Sequence, residues 1–217
     1  MLELLALNGA QSRADLARAA GITRATAGNL VARLLAEGIV RHAPTLEAEK
    51  DRSVGRPGEQ VALNPDFAHV VGIDAGIGFV LALRMDLAGT IRAVERVEIP
   101  LAEETPERLA ALVTALVRKV CDTAPPIAGV AIAIPGIITR DGHVMRAPFL
   151  GWTDVPFRDL IEDELAPFGT LALENDANAL AMGEVIRGHV SPDDTNIFFS
   201  MDVGVGGSII WEGRLMD

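Results

Sequence analysis

The run Ile127-Ala128-Gly129-Val130-Ala131-Ile132-Ala133-Ile134 constrains the fold more than any other stretch, because its eight consecutive apolar residues offer no side to water. A run of that length, ended by Pro135-Gly136, reads as a strand covered on both faces, the situation of a sheet layered with helices. The segments around it agree. Val70–Asp74, Phe79–Asp86 and Thr90–Ile99 read as strands, the last two separated by Leu87-Ala88-Gly89. Pro106–Cys121 reads as a helix, with Leu109, Leu112, Val113, Leu116, Val117 and Val120 on one face. Further on, Phe157–Phe168 is expected to be helical, Leu171–Glu174 a strand, Asp176–Arg187 a helix, and Asn196–Met201 and Ser208–Trp211 strands. Strands and helices in this order form an α/β layer fold.

The segment before Asn64-Pro65-Asp66 has a different character. Residues 1–60 carry a net charge of +1 and residues 61–217 a net of -12, out of -11 for the 217-residue chain. An acidic body repels nucleic acid, so any DNA contact is confined to the first segment. There Leu2–Leu7 reads as an apolar helix stopped at Asn8-Gly9. Ser12 caps a second helix with Asp15 three residues on, and Thr23 caps a third that runs to about Glu37. Ala27, Leu30, Val31, Leu34 and Leu35 form the expected buried stripe of the third helix, and Gly38 its stop. Two short segments, Ile39–Arg41 and Gln60–Leu63, flank a charged, turn-rich insert and read as a hairpin. Helix, glycine turn, helix and hairpin is the winged helix-turn-helix pattern, which presents its last helix to a major groove about 12 Å wide. The outward positions would be Thr23, Arg24, Thr26, Asn29 and Arg33, with Arg56 at the tip of the wing. Arg and Asn are the side chains that pair with G and A edges. The same three helices would also serve a module that binds protein, and Gly28, mid-helix, costs about 1 kcal/mol relative to Ala.

In α/β folds a ligand sits beyond the carboxyl ends of the strands. Asp74 with Gly76 and Gly78, Pro135-Gly136, Glu174-Asn175-Asp176 and the turn Gly204-Val205-Gly206-Gly207 all fall there. Asn175 offers both donors and an acceptor and Asp176 acceptors alone, a pairing suited to adjacent sugar hydroxyls. Asp176 reads equally well as the cap of a helix beginning at Ala177. A single cysteine, Cys121, excludes a disulfide framework or a multi-cysteine zinc site, and reads as a packed thiol. His42, His69, His143 and His189 have no ligand spacing and are expected on the surface or in loops; Trp152 is expected to pack in a loop or line the cleft. No apolar run reaches the ~18 residues of a membrane span, and the first residues lack the basic region of a signal peptide. The expectation is a soluble, cytoplasmic protein.

The ordered set SRADLARAAGITRATAGNLVARLLAEGIV, GRPG, GIDAG, AIPGIITRDGHV, APFLGWTDVPF, LENDANALAMGE and DVGVGGSIIWEGRL resembles the transcriptional-repressor branch of the ROK family (repressors, open reading frames and kinases), from about Leu4 to Arg214. The resemblance implies a winged helix-turn-helix over residues 1–66 and an actin-like, ribonuclease-H-like sugar-kinase fold over 67–217, its first lobe ending near 175 and its second lobe begun by 176–217. It implies that Asn175 and Asp176 bind sugar hydroxyls, Asp176 being the catalytic base in family kinases. Those kinases carry a hydroxyl residue, often followed by Lys, where this chain has Gly78 and Phe79, so the phosphate contacts are missing. The resemblance also implies a zinc motif in full-length members beyond the Gly-Arg-Leu segment, so no cofactor is expected here and the second lobe is expected to be incomplete. The resulting expectation is a sugar-responsive repressor of carbohydrate genes, with an operator duplex, a sugar or sugar-phosphate effector and a homo-oligomer as partners, and no membrane. The competing readings are an ATP-dependent sugar kinase and a truncated fragment of a regulator.

Overall fold

The computed structural model describes residues 1–43, 59–100, 105–122, 125–187, 190–191, 194–201 and 203–216. The chain divides into two compact units, Met1–Phe67 with Leu87–Thr90, and Ala68–Asp86 with Ile91–Asp217.

The first unit holds α1 (Leu2–Asn8), β1 (Gln11–Ser12), α2 (Arg13–Ala19), α3 (Arg24–Ala36), β2 (Val40–His42) and β3 (Gln60–Leu63). Local chemistry sets each boundary. The Ser12 hydroxyl accepts the Asp15 N–H and donates to the Asp15 carboxylate, opening α2. The Thr23 hydroxyl accepts the Thr26 N–H and opens α3. Both helices end the same way. After α2 the Gly21 N–H reaches the Arg18 carbonyl and the Ile22 N–H the Ala17 carbonyl; after α3 Gly38 reaches Leu35 and Ile39 reaches Leu34. These paired bonds need a left-handed residue, and Gly21 (φ 63°) and Gly38 (φ 76°) supply it without a Cβ clash. The three strands pair in the order β1-β3-β2. Leu5, Leu16, Val31, Val40 and Val61 make the core of the unit. Leu30, expected in the buried stripe, is 42% exposed, because Ala27 and Val31 alone meet the core squarely.

The second unit is built on a five-stranded sheet of β4 (His69–Asp74), β5 (Phe79–Asp86), β6 (Ile91–Glu98), β7 (Ile127–Ile134) and β11 (Thr170–Asn175), ordered β11-β7-β4-β5-β6. β11, β7 and β4 run parallel, and β5 and β6 are antiparallel. One face packs on α4 (Pro106–Cys121), opened by Thr105 and Pro106, and Val113, Val117, Val80, Ile132 and Ile134 meet there with essentially no exposure. The two-sided cover expected for β7 is not found. Val130, Ile132 and Ile134 are buried, but Ala131 on the opposite face is exposed. Small apolar residues mimic a buried face in sequence while exposing little area.

Between β7 and β11 lies a small sheet absent from the sequence reading, β8 (Ile137–Ile138), β9 (Val144–Ala147) and β10 (Trp152–Val155). Trp152 is therefore a buried strand residue, stacked 5.5 Å from Phe157. Phe157–Phe168 is not one helix but a 3-10 turn, the single turn α5 (Glu162–Leu165) and a second 3-10 turn. Finally α6 (Asp176–Ile186) packs Ala181 and Val185 on Ile210 of β13 (Val205–Trp211), which pairs with β12 (Asn196–Met201) and β14 (Arg214–Leu215). Apolar side chains stand in the open on β12 and β13: Phe199 is 73%, Met201 80% and Val205 78% exposed. His69 is not a surface residue. It is buried in β4, where its Nδ1 faces the Arg84 guanidinium at 2.7 Å, so Nδ1 accepts and Nε2 carries the proton. Cys121 packs against the main core, and burial pushes its thiol up. No described helix is long and apolar enough to cross a membrane.

Candidate functional site

The carboxyl ends of β4, β7 and β11 open onto a cavity of about 620 Å³. All four clusters drawn from the sequence line it: Asp74 and Gly76, Pro135 and Gly136, Asn175 and Asp176, and Gly204–Gly206. Phe79, Phe149, Leu180, Ser200 and Val203 also line the wall, and sequence reasoning did not assign them there because apolar or small side chains inside or beside the motifs carry no chemical signal of their own. Two close approaches shape the floor. A Cβ on Gly206 would stand 2.8 Å from the Ala177 Cβ, so only glycine lets β13 meet the start of α6. A Cβ on Gly76 would stand 2.3 Å from the Phe79 ring, so that ring lies on the glycine turn after Asp74.

Asn175 is the cap of α6, a role the sequence reading offered to Asp176. Its side-chain carbonyl accepts the Asn178 N–H at 3.1 Å. Its amide donates to the Gly136 carbonyl at 2.8 Å and to Asp176 Oδ1 at 3.0 Å, which uses both N–H groups. Asp176 Oδ1 also accepts the Ala177 N–H at 2.9 Å. The carboxylate is thereby held at one oxygen, and Oδ2 has no protein donor among these bonds. Glu174 braces the corner, its Oε1 accepting from the Asn175 backbone and the Asn178 amide.

Asp74 faces this carboxylate from β4. Burial pushes its pKa above the ordinary aspartate value, the Asp176 charge pushes the same way, and Arg96 pulls back. Arg96 stands 3.8 Å from the centroid of the Phe79 ring and bonds Glu98 at 2.7 Å. A carboxyl with a raised native pKa favours folding when protonated and loses that contribution as pH rises through the native pKa. Asp74→Asn is therefore expected to raise the melting temperature at pH 7.5, with the gain vanishing as pH falls toward about 4. Melts across that range measure it; a gain that grows toward acid would contradict the assignment.

The second candidate surface is α3. Thr23, Arg24, Thr26, Asn29 and Arg33 are all exposed along it, as is Leu30. Thr23 and Thr26 bond each other at 2.8 Å, and Arg33 is paired with Glu37 at 2.7 Å. A Cβ on Gly28 would meet nothing within 4 Å, which leaves the helix open to close approach at that point. Arg56 lies outside the described residues. No group of three metal-ligating side chains occurs among the described residues.

Comparison with known proteins gives these surfaces a context. The profile of the ROK family matches residues 70–217. The chain belongs to the ROK family. The xylose repressor of Caldicellulosiruptor bescii is 29% identical over 212 residues, covering 94% of this chain and 51% of the repressor. A crystal structure of a ROK family transcriptional regulator, a homolog of the E. coli MLC protein, superposes with a TM-score of 0.73 at 20% identity, covering 99% of this chain and 54% of that one. A ROK family glucokinase from Streptomyces griseus, solved with glucose and AMPPNP, gives 0.61 at 28% identity but covers only 69% of this chain and 46% of its own. The actin-like sugar-kinase fold of the ROK proteins is thus shared, and the likeness that runs the length of the chain is to the repressor branch. The chain spans about half the length of the curated relatives it matches.

Proposed function

We propose that this ROK chain is a sugar-responsive transcriptional repressor of carbohydrate genes, with residues 1–66 as a winged helix-turn-helix and 67–217 as the sugar-binding body, whose second lobe begins at α6. The observation that carries the reading is the match to repressors over 94% of the chain, against 69% for the kinase, together with the charge split between the two segments. In this reading α3 enters the major groove with Arg24, Thr26, Asn29 and Arg33, while Thr23 fixes the start of the helix and contacts phosphate. Arg56 reaches the backbone or minor groove from the wing. Asp176 accepts a sugar hydroxyl at Oδ2, and Asn175 holds that carboxylate in place while its side-chain carbonyl, which accepts the Asn178 N–H with one lone pair, offers the other to a second hydroxyl. The name of the relatives makes xylose the first effector to try. A kinase is disfavoured because Gly78 and Phe79 supply no hydroxyl or ammonium for a phosphate, and the Phe79 ring lies on the turn. Two copies binding a palindromic operator give the cooperative geometry such heads use, and the protein acts in the cytoplasm, where the operator is.

Binding to a duplex from the upstream region of its own gene tests the DNA half. Arg24→Ala and Asn29→Ala are each expected to weaken binding by about 1–3 kcal/mol, and affinity is expected to fall steeply with salt. Gel-shift titration measures both. Binding with neither sequence preference nor salt dependence would contradict it.

A further inference from the structure

The charges around the cavity bear on which ligand it takes. Its lining contains two carboxylates, Asp74 and Asp176, and no Lys, Arg or His among the described residues. Ionised carboxylates accept hydrogen bonds and donate none, so a ligand must bring the donors, as a polyol does. An anion would meet two like charges, one of them the half-buried Asp74, where repulsion is stronger than in water. Backbone N–H groups of a glycine turn can also hold a phosphate, and of the two such turns that line the cavity the one after Asp74 is covered. The Phe79 ring lies where a Gly76 Cβ would be, at 2.3–2.9 Å from it, and therefore covers the turn that follows Asp74. The Arg96 guanidinium is engaged by the Phe79 ring and by Glu98, not aimed into the cavity wall.

We propose that the cavity selects an uncharged polyhydroxylated ligand against that ligand's own phosphate ester, and that Asp74 and Phe79 set the selection. This rests on the sugar-binding reading above and narrows it. Asp74 acts through charge: a phosphate monoester carries about -1.5 to -2 at neutral pH and the carboxylate repels it. Phe79 acts through shape, because its ring denies a phosphoryl group the amides of the turn. The apolar wall of Phe149, Leu180 and Val205 suits the C–H faces of a sugar and gives nothing to an anion.

Isothermal titration calorimetry of the full chain at pH 7.5 tests the proposal with an aldopentose (D-xylose), an aldohexose (D-glucose), a ketohexose (D-fructose) and N-acetyl-D-glucosamine, each beside its phosphate monoester. At least one free sugar is expected to bind, with its ester at least tenfold weaker. Asp74→Asn and Phe79→Ser are each expected to shrink that ratio by fivefold or more, and circular dichroism shows which variant is folded, so either one carries the test. An ester that binds as tightly as its parent overturns the selection and leaves the sugar site standing. A ratio unchanged in the folded variants overturns the assignment to Asp74 and Phe79. Binding of no sugar and no ester removes the sugar reading itself, and the selection with it.

Discussion

Asp176→Asn is expected to lower the affinity for the effector sugar by about a hundredfold. The carboxylate is exposed at the first position of α6, yet its Oδ1 is fixed by two donors, the Asn175 amide and the Ala177 N–H. An acceptor held in place this way loses little rotamer freedom on binding, so more of the charge-assisted bond appears as affinity. Hydrogen bonds to a charged group contribute about 1.5–3 kcal/mol, and one such bond near the top of that range accounts for the hundredfold through the ~1.4 kcal/mol that each tenfold represents. The amide keeps the volume of the side chain. It also removes an acidic group from the first turn of a helix, which costs about 0.3–1 kcal/mol of stability. Calorimetric titration separates the two effects: affinity falls by orders of magnitude while the melting temperature moves by a few degrees. An affinity unchanged in the variant would remove Asp176 from the site.

Phe157→Ala is expected to produce the largest loss of stability of any single substitution considered for the sheet-bearing unit. The side chain is fully buried in the main core and stacks on Trp152 with rings 5.5 Å apart. Truncating a buried phenylalanine costs about 3–5 kcal/mol through lost transfer energy and the cavity left behind, and the ring pair adds about 0.5–1.5 kcal/mol to what is lost. For a unit of this size the combined loss corresponds to roughly 7–26 °C in melting temperature. Phe199→Ala provides the contrast, because a ring that is 73% exposed removes little buried area. Thermal or urea unfolding of both variants checks the ordering, and equal losses would show that the Phe157 region is not packed as described.

The same region marks where sequence patterning stopped being informative. Phe157, Ile161 and Leu165 recur at four-residue spacing and all three are fully buried, so the hydrophobic signal is that of a helix. The backbone nevertheless turns tightly between them, with Ile161 at φ -125°. Periodicity reports which residues reach the core and not the path between them. Pro106–Cys121 and Ile127–Ile134 came through with their limits intact, because caps and prolines punctuate both. The strands β8 to β10 are two to four residues long and hold together by pairing with each other, which leaves no periodic trace. At the cavity, the placement of motifs at strand ends was legible, and what each side chain does was not. That the Asn175 amide is spent on a carbonyl 39 residues away, or that Phe79 lies on Gly76, follows from tertiary contacts alone. The stripe on α3 failed only at Leu30, where helix periodicity admits a residue at the margin of the face that the core does not reach.

If the chain is a sugar-responsive repressor, sugar in the cavity and DNA on α3 are linked. Fluorescence anisotropy of a labelled operator duplex, titrated with the chain in the presence and absence of a saturating bound sugar, tests it most directly. Linkage requires the sugar to shift the DNA dissociation constant, and couplings of this kind are about 5–150-fold. A fivefold or larger shift, lost together with sugar binding in Asp176→Asn, is the result expected. A sugar that binds in the cavity and leaves the operator dissociation constant unchanged would contradict the account.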